Sequence, residues 1–187
     1  MKKFFTLKNI VLFAGALLLL VAFCLSFAAT FTFTNGGTTI TWFNFVWGVN
    51  KSQIGSTVYF DDKAMEPAVF PFVGLILIFV GMIAAVLVVF LVKKPFAKYI
   101  VAGCAVVILA GAIMQFIVIA SAARAYARYL CKSLNITDKE QIKLVIKQYS
   151  EHFKDEGGKS AICVVMGILG ILGASAIGVS QFLPEKK

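Results

Sequence analysis

The stretch Lys93-Lys94-Pro95-Phe96-Ala97-Lys98 separates two apolar runs, each longer than twenty residues and without a charged side chain. At 1.5 Å of rise per helical residue, a run of this length crosses a hydrocarbon core of about 30 Å. Lysines close to the ends of membrane spans are retained on the cytoplasmic side. The stretch therefore predicts a tight cytoplasmic turn, residues 93–98, in a transmembrane helical hairpin whose topology is set by Lys93, Lys94 and Lys98.

The composition indicates an integral membrane protein. Of the 187 residues, 60% are hydrophobic and only 14% are charged, and the mean hydropathy is +0.90. Two further apolar runs flank the hairpin, so we predict a single integral membrane domain over residues 1–187. Its transmembrane helices are expected at residues 10–29, 69–92, 99–123 and 161–183. The third helix is expected to continue without interruption as far as Asn135, because no helix breaker precedes that residue.

The N-terminal residues have features of a secretory signal peptide. Lys2 and Lys3 precede an apolar stretch that ends near Ser26-Phe27-Ala28. The apolar stretch is longer than a usual signal core, however. We therefore interpret residues 10–29 as the first transmembrane helix, which enters the membrane from a basic cytoplasmic end.

The first outer segment, residues 30–68, is rich in β-branched and aromatic residues. Polar and aromatic residues alternate over residues 30–34, Asn35-Gly36-Gly37 is typical of a tight turn, and residues 38–47 resume the β-forming pattern. This pattern predicts an antiparallel β-hairpin with a bulge or strand end near Phe43. A third strand is expected at residues 58–60.

The aromatic residues Trp42, Phe43, Phe45 and Trp47 of this segment have two interpretations. Aromatic side chains collect at the membrane interface as anchors. A cluster of large aromatic residues on an exterior surface is also typical of an interaction hot spot. We favour the anchoring role and keep these four residues as candidates for a partner or ligand surface.

The second outer segment, residues 124–160, predicts an amphipathic helix. Thr137-Asp138-Lys139-Glu140 has the pattern of a capping box, and Gly157-Gly158 marks the end of the helix. Its apolar stripe is a second candidate partner surface and consists of Ile142, Val145, Ile146, Tyr149 and Phe153. The apolar stripe has three alternative contacts: the predicted hairpin, the membrane surface or another protein. We favour the hairpin.

Small residues are spaced for close packing in the predicted transmembrane helices. Ridges of small residues let helix backbones approach closely in a bilayer, and a buried amide such as that of Gln115 hydrogen-bonds across a helix interface. The candidate helix-packing residues are Gly74, Gly81, Ala85, Gln115, Gly167, Gly170, Ala174 and Gly178. The ridge on the fourth helix meets either another helix of this chain or a helix of a second subunit.

The net charge of +9 is explained by membrane topology, which argues against nucleic-acid binding. Eight of the eighteen Lys and Arg residues lie in the two short termini and the turn, with Glu185 as the single acid among them. The other ten are spread over the two long segments and are offset by eight acidic residues. We predict a multi-pass protein of a bacterial plasma (inner) membrane, with both termini cytoplasmic and both long segments outside.

The sequence contains no pattern that indicates catalysis. The four predicted helices have no charged residue or histidine between their ends, which argues against a proton-coupled transporter. No catalytic or phosphate-binding motif is present. The four cysteines form no paired motif, and only Cys24 and Cys163 are candidates for a disulfide. We therefore expect no enzyme activity and no cofactor.

Two small clusters of acidic residues and histidine fit solvated surfaces better than metal sites. His152 lies near Glu151 and Asp155 on the amphipathic helix. A loop of the first outer segment contains Asp61, Asp62 and Glu66. A metal site needs several ligands that converge on one point, which neither spacing ensures. We expect no metal.

The order of four helices, a β-rich first outer segment with Trp42 and Trp47-Gly48, and a second outer segment resembles the claudin type of tetraspan protein in architecture. The tryptophan, Gly-Leu-Trp and two-cysteine signature of that family is not met, because Gly48 follows the tryptophan and the first segment has no cysteine. The resemblance implies only a four-span architecture with a structured outer cap, and no residue role follows from it.

We therefore predict an all-α membrane protein: a four-helix transmembrane bundle with a small extracytoplasmic antiparallel β-hairpin or sheet and one amphipathic helix. The expected function is that of a non-enzymatic scaffold or accessory subunit that acts through helix packing and its outer cap. Its partners are the lipid bilayer and a membrane protein or a second copy of the chain. One alternative is a homo-oligomeric channel or carrier for a small or lipid-like solute, lined by Gln115 and Ser121. Another is an outer sensor or adhesion module that reads ligands through residues 42–47.

Overall fold

The structure of the protein, a computed structural model, describes residues 6–49, 51–60, 65–91 and 94–183. The described residues are mostly helical and include one small antiparallel sheet. The elements in chain order are α1 (Leu7–Leu25), a short 3-10 helix (Ser26–Ala28), β1 (Phe31–Asn35), β2 (Thr38–Trp42), β3 (Lys51–Ile54), β4 (Thr57–Phe60), α2 (Val69–Leu91), α3 (Lys94–Met114), α4 (Val118–Ser133), α5 (Lys139–Asp155) and α6 (Ala161–Ser180).

Four helical segments are long and apolar enough to span a membrane. They are Leu7–Ala28, Val69–Leu91, Phe96–Met114 and Ala161–Ser180, with mean hydropathies of 2.8, 3.1, 2.1 and 2.4. Each coincides with one of the four apolar runs of the sequence, although the ends differ by several residues. These segments are compatible with a multi-pass membrane protein.

The expectation that the third apolar helix continues without interruption towards Asn135 is wrong. α3 ends at Met114 and α4 begins at Val118, and Ile117 has a non-helical backbone with φ −85° and ψ 55°. The backbone amide of Gln115 donates to the carbonyl of Ala112, three residues earlier, at 3.1 Å. The last turn of α3 is therefore tighter than an α-helical turn. No glycine or proline marks this break, and only the poor helix propensity of the β-branched Ile117 and Val118 favours it.

The chain divides into two compact units. The first consists of Met1–Cys24, Val73–Gln115 and Val165–Lys187, and the second of Leu25–Phe72 and Phe116–Val164. The first unit contains most of the apolar helical residues, and the second contains the sheet with α4 and α5.

Glycines set the helix contacts of the first unit. A methyl group added to Gly74 of α2 would lie 2.5 Å from the Gly111 carbonyl oxygen of α3, and one added to Gly111 would lie 2.5 Å from the Gly74 carbonyl oxygen. The two backbones are therefore in direct contact. Similarly, a methyl group on Gly170 of α6 would lie 2.6 Å from the Cβ atom of Ala112. Such close approach gains dispersion energy that no larger residue would permit.

Aliphatic side chains from α1, α2, α3 and α6 fill the core of the first unit. The large aliphatic side chains that are almost fully buried in this core are Leu12, Leu19, Ile78, Val101, Ile108 and Ile177. These side chains meet without a polar group among them, so van der Waals contact is their interaction.

The second unit is built on an antiparallel sheet with strand order β1-β2-β3-β4. The predicted β1–β2 hairpin is confirmed, since Asn35 pairs with Thr38 across Gly36 and Gly37, whose φ angles are +56° and +80°. Positive φ at both central positions is the geometry of a type I′ turn and explains the need for glycine. β2 ends at Trp42, as expected near Phe43, and Asn44 follows with φ +56°.

The sheet is larger than the sequence predicts. The expected third strand at residues 58–60 is present within β4, but β3 was not expected. β3 begins Lys51-Ser52-Gln53, three polar residues without the alternation that marks a half-buried strand. A turn at Gly55, with φ +58°, joins β3 to β4 and allows them to pair.

The start of α5 also differs from the sequence prediction. Asp138, rather than Thr137, is the N-cap, and its carboxylate accepts a hydrogen bond of 3.0 Å from the Glu140 amide. The end at Gly157-Gly158 is as expected: the Gly158 amide donates to the Phe153 carbonyl at 2.6 Å, and Gly157 has φ +66°. This is a Schellman motif.

We predict that Gly111→Ala destabilises the first unit by about 1 to 3 kcal/mol, because its methyl group would overlap the Gly74 carbonyl. Gly103 of α3 has no atom within 4 Å of an added methyl group, so Gly103→Ala is the matched control. The control should be neutral or stabilising by up to about 1 kcal/mol through helix propensity. Unfolding of both variants in mixed detergent micelles measures the difference, and equal stabilities would contradict this packing.

Candidate functional site

Phe153 is the centre of an aromatic core in the second unit. Its ring centroid lies 5.4 Å from that of Phe31, 4.8 Å from Phe33 and 5.4 Å from Trp42, and the side chain is 1% exposed. Tyr126 of α4 closes the cluster at 6.1 Å. The amphipathic helix α5 thus places Phe153, at the end of its apolar stripe, on the β-hairpin, as favoured from the sequence.

The backbone reinforces this contact. The Thr32 amide donates to the Lys159 carbonyl and the Lys159 amide donates to the Thr32 carbonyl, both at 2.9 Å. The residues after α5 therefore pair with the outer edge of β1. The pairing satisfies backbone groups that an edge strand would otherwise leave unpaired by the sheet.

The inner face of the sheet is covered along only half of its width. Phe31, Trp42, Ser52 and Tyr59 lie in one register row and therefore point to the same face. Phe31 and Trp42 are 0% and 5% exposed, whereas Tyr59 is 51% exposed. In the neighbouring row of the same face, Ile54 is 42% exposed. The aromatic core therefore covers β1 and β2 and leaves Ile54 of β3 and Tyr59 of β4 accessible.

A pocket of about 160 Å³ adjoins the covered half of this face. Trp42 and Tyr126 form one wall, with ring centroids 5.4 Å apart and nearly parallel planes. Burial, and secondarily Tyr149, raises the pKa of Tyr126, so this phenol stays neutral. The residues lining the pocket are Trp42, Val49, Lys51, Ser52, Met65, Tyr126 and Tyr129. The pocket thus combines aromatic walls with polar groups at its edge.

Glu66 binds two cations of α4. Its carboxylate accepts hydrogen bonds from Lys132 at 2.6 Å and from Arg128 at 2.9 Å. These bonds, the one from Lys132 first, lower the pKa of Glu66 below its ordinary value. Asp61 and Asp62, the other members of the acidic loop cluster, lie outside the described residues. Within the described residues, Glu66 thus serves to join the loop to α4.

The structure places several candidate surface residues in the core. Trp42, Phe45 and Phe153 are 5%, 1% and 1% exposed, so their side chains belong to the core of the single chain. Phe43 is half-buried, with the Lys51 ammonium 5.0 Å from its ring. Trp47 is partly exposed, stacks on Phe27 at 5.1 Å and donates to the Ser26 hydroxyl at 3.0 Å. The aromatic run 42–47 therefore forms core and packing contacts rather than one exterior patch.

Helix α5 also packs against α4. Ile142, Val145, Ile146 and Tyr149 are half-buried, and the Tyr149 ring meets Tyr126 edge-on at 4.7 Å. Sequence analysis missed Ile54, Tyr59 and Tyr126. The strand predicted at residues 58–60 was a usable signal for Tyr59, whereas nothing marked Ile54 while β3 was not recognised.

The candidate packing residues have different environments in the first unit. Gln115 is 0% exposed, and its amide nitrogen would lie 2.8 Å from a methyl group on Gly74. A methyl group on Gly81 would lie 2.7 Å from Ile108, and one on Gly178 would lie 3.6 Å from Ala105. The other four candidates are buried and are Ala85, Gly167, Gly170 and Ala174. Gly178 therefore has room for a methyl group that Gly74, Gly81 and Gly170 lack.

Among the described residues, no three His, Cys, Asp or Glu side chains converge on a point where a metal ion could bind. The His152 ring instead meets the rings of Phe33 and Tyr149 edge-on, at 6.4 and 6.2 Å. All four cysteines, including Cys24 and Cys163, are free thiols. Of the topology lysines, Lys93 lies outside the described residues, and Lys98 is exposed with its ammonium 4.8 Å from the Tyr99 ring.

We predict that Phe153→Ala destabilises the second unit by about 3 to 5 kcal/mol, because it removes the ring that fills the space between α5 and the sheet. Leu144→Ala, on the same helix but at a side chain that is 66% exposed, is the matched control and should change stability by less than about 0.5 kcal/mol. Amide exchange at Thr32 and Lys159 reports the result. Unchanged exchange in Phe153→Ala would contradict this role.

We predict that Glu66→Gln destabilises the second unit at neutral pH by no more than about 1 kcal/mol, since both ion pairs are partly exposed. Because the pKa of Glu66 in the folded protein is below its ordinary value of 4.5, the ionised carboxylate stabilises the fold at pH values above 4.5. This contribution is lost as the pH falls through the lowered pKa. Stability curves of the wild type and the variant should therefore converge at pH values below the lowered pKa, where the Glu66 carboxyl is protonated. A difference that is independent of pH would refute the role of the ionised group.

Comparisons of the chain with protein-family models, with curated proteins and with solved structures find no match.

Proposed function

We propose that this chain is a non-enzymatic accessory or scaffold subunit of a membrane protein assembly, and that its second unit holds a partner on the accessible half of the sheet. One observation carries the proposal: a single sheet face buries Phe31 completely and leaves Tyr59 51% exposed. Large apolar side chains left accessible beside a buried aromatic core are typical of an interaction surface. The partner chemistry that fits is an apolar or aromatic segment of another membrane protein.

The proposed topology is a four-helix bundle that spans the plasma (inner) membrane, with both termini cytoplasmic and the second unit outside. The packing of the second unit supports it, since residues 31–60 and 118–159 fold together and must lie on one side of a membrane. In the proposed topology the chain crosses the membrane twice between these two segments, through α2 and α3, and so returns to the same side. The small-residue contacts of Gly74 with Gly111 support the bundle.

The cations of α4 are compatible with this orientation. Arg124, Arg128 and Lys132 follow the third span, on the side where the positive-inside tendency disfavours them. Arg128 and Lys132 are both bound to Glu66, and Arg124 lies 5.5 Å from the Phe70 ring. These cations therefore have local structural roles, so they count less against the proposed orientation.

The alternative function, a homo-oligomeric channel or carrier, has less support. Gln115 and Ser121, the polar residues that would line its path, are both 0% exposed within one chain. The Ser121 hydroxyl donates to the Ile117 carbonyl at 2.7 Å. Neither side chain is therefore presented to a neighbouring copy.

We predict that a photoreactive amino acid at position 59 cross-links this chain to a different polypeptide in its native membrane. Position 58 is the matched control, because Val58 is 42% exposed on the opposite face of the same strand. Ile54→Asp should lower the yield of the position-59 cross-link about tenfold, the loss expected for a residue worth about 1.4 kcal/mol of binding.

Three results would contradict the proposal: equal cross-linking from positions 58 and 59, cross-links only between copies of this chain, or no effect of Ile54→Asp. Movement of a small solute into liposomes that contain the purified protein alone would favour the channel or carrier instead.

A further inference from the structure

The two edges of the sheet in the second unit have different surroundings. At the outer edge of β1, Thr32 exchanges two backbone hydrogen bonds of 2.9 Å with Lys159. The Thr34 amide of the same edge donates to the Glu156 carbonyl at 3.0 Å. β4 forms the opposite edge, and among the residues that the structure describes no backbone group pairs with its outer side. The main-chain groups of that side are therefore open to a further strand.

Hydrogen bonds to β2 determine which residues of β3 bond towards β4. The Phe43 amide donates to the Lys51 carbonyl at 3.0 Å. At the other end of β3, the Gly55 amide donates to the Thr39 carbonyl at 3.1 Å. Odd-numbered residues thus bond to the β2 side. Because bonded and non-bonded pairs alternate along an antiparallel ladder, the even-numbered residues of β3 bond to β4.

The register of β3 and β4 then shows where the main-chain groups of β4 point. Ser52 pairs with Tyr59, and Ile54 pairs with Thr57 across the turn at residues 55–56. These two pairs carry the hydrogen bonds between the strands. Val58 lies between them, so its amide and carbonyl point away from β3. Val58 therefore presents one donor and one acceptor at the free edge.

The sequence of β4 does not protect this edge. Natural proteins block sheet edges with charged residues, proline or bulges. The strand Thr57-Val58-Tyr59-Phe60 contains no charged residue and no proline, and it pairs with β3 in continuous register. The residues Thr57, Val58 and Tyr59 are all exposed. β4 is therefore an accessible strand that is suited to pairing.

The chemistry of the edge selects an extended peptide segment as its occupant. The donor and acceptor of Val58 are matched by another strand, which bonds through its own main chain. A helix does not supply this match, because its backbone groups bond within the helix. An added strand also places alternate side chains on the inner face, beside Tyr59. The edge is therefore continuous with the accessible half of the sheet.

We propose that the partner adds an extended apolar or aromatic segment to β4 as the fifth strand of the sheet. This inference rests on the proposed function and specifies how the partner is held. The amide and carbonyl of Val58 bond to the segment, in the way that Thr32 bonds to Lys159 at the opposite edge. Position 58 contacts only the added strand, whereas position 59 also contacts what covers the inner face. The cross-link yield from position 59 therefore stays above that from position 58.

The first test removes the outward N–H group in the full chain within its native membrane. Val58→Pro has no amide hydrogen, and proline is tolerated in an edge strand where that group faces outwards. This variant should lower the yield of the position-59 cross-link about tenfold, equivalent to about 1.4 kcal/mol of binding. Val58→Ala keeps the N–H group and is the matched control, with a yield within about twofold of the wild type. Amide exchange at Thr32 and Lys159 verifies that both variants fold.

A second measurement needs no substitution. Hydrogen exchange of the Val58 amide should be about tenfold slower in the extracted assembly than in the purified chain, because of the same hydrogen bond. The amides of Thr57 and Tyr59 are bonded to β3 in both samples and serve as the internal reference.

Two results would overturn the added strand and leave the accessory role standing. One is an unchanged cross-link in a folded Val58→Pro protein, and the other is unchanged exchange at Val58 in the assembly. Absence of any cross-link from position 59 to another polypeptide would overturn both proposals.

Discussion

The contact between Phe153 and the inner face of the sheet is the interaction on which the second unit depends. It joins the β-rich segment to α5, although two apolar helices separate them along the chain. The backbone pair between Thr32 and Lys159 fixes the same junction at a second point. Because both segments meet in one unit, any membrane crossings between them must be even in number. The proposed four-span topology, with α2 and α3 between the two segments, meets this constraint.

The same contact leaves the sheet incompletely covered. α5 reaches β1 and β2 with Phe153, but Ile54 and Tyr59 lie on the same face at the far side. Burial of apolar area is worth roughly 25 cal/mol per Å², so a partner that covers these side chains would gain free energy that the single chain does not. The pocket beside Trp42 and Tyr126 would give such a partner a defined position. This is the physical basis of the proposed accessory role.

Sequence reasoning succeeded where a local pattern determines the structure. The four apolar runs and the Asn35-Gly36-Gly37 turn needed no knowledge of tertiary contacts. β3 was missed because Lys51, Ser52 and Gln53 are polar and become a strand only through pairing with neighbours on both sides. The break at residues 115–117 was missed because no glycine or proline marks it. The burial of Trp42 could not be predicted either, since a membrane anchor and a core aromatic residue have the same sequence pattern until the covering helix is known.

The most direct measurement is the mass of the native assembly after gentle extraction from its own membrane. The proposed accessory role predicts one or more copies of this chain with a second polypeptide in fixed stoichiometry. The substitution Tyr59→Asp should release that polypeptide, because it places a charge on the accessible half of the sheet. An assembly that contains only copies of this chain, unchanged by the substitution, would contradict the central claim.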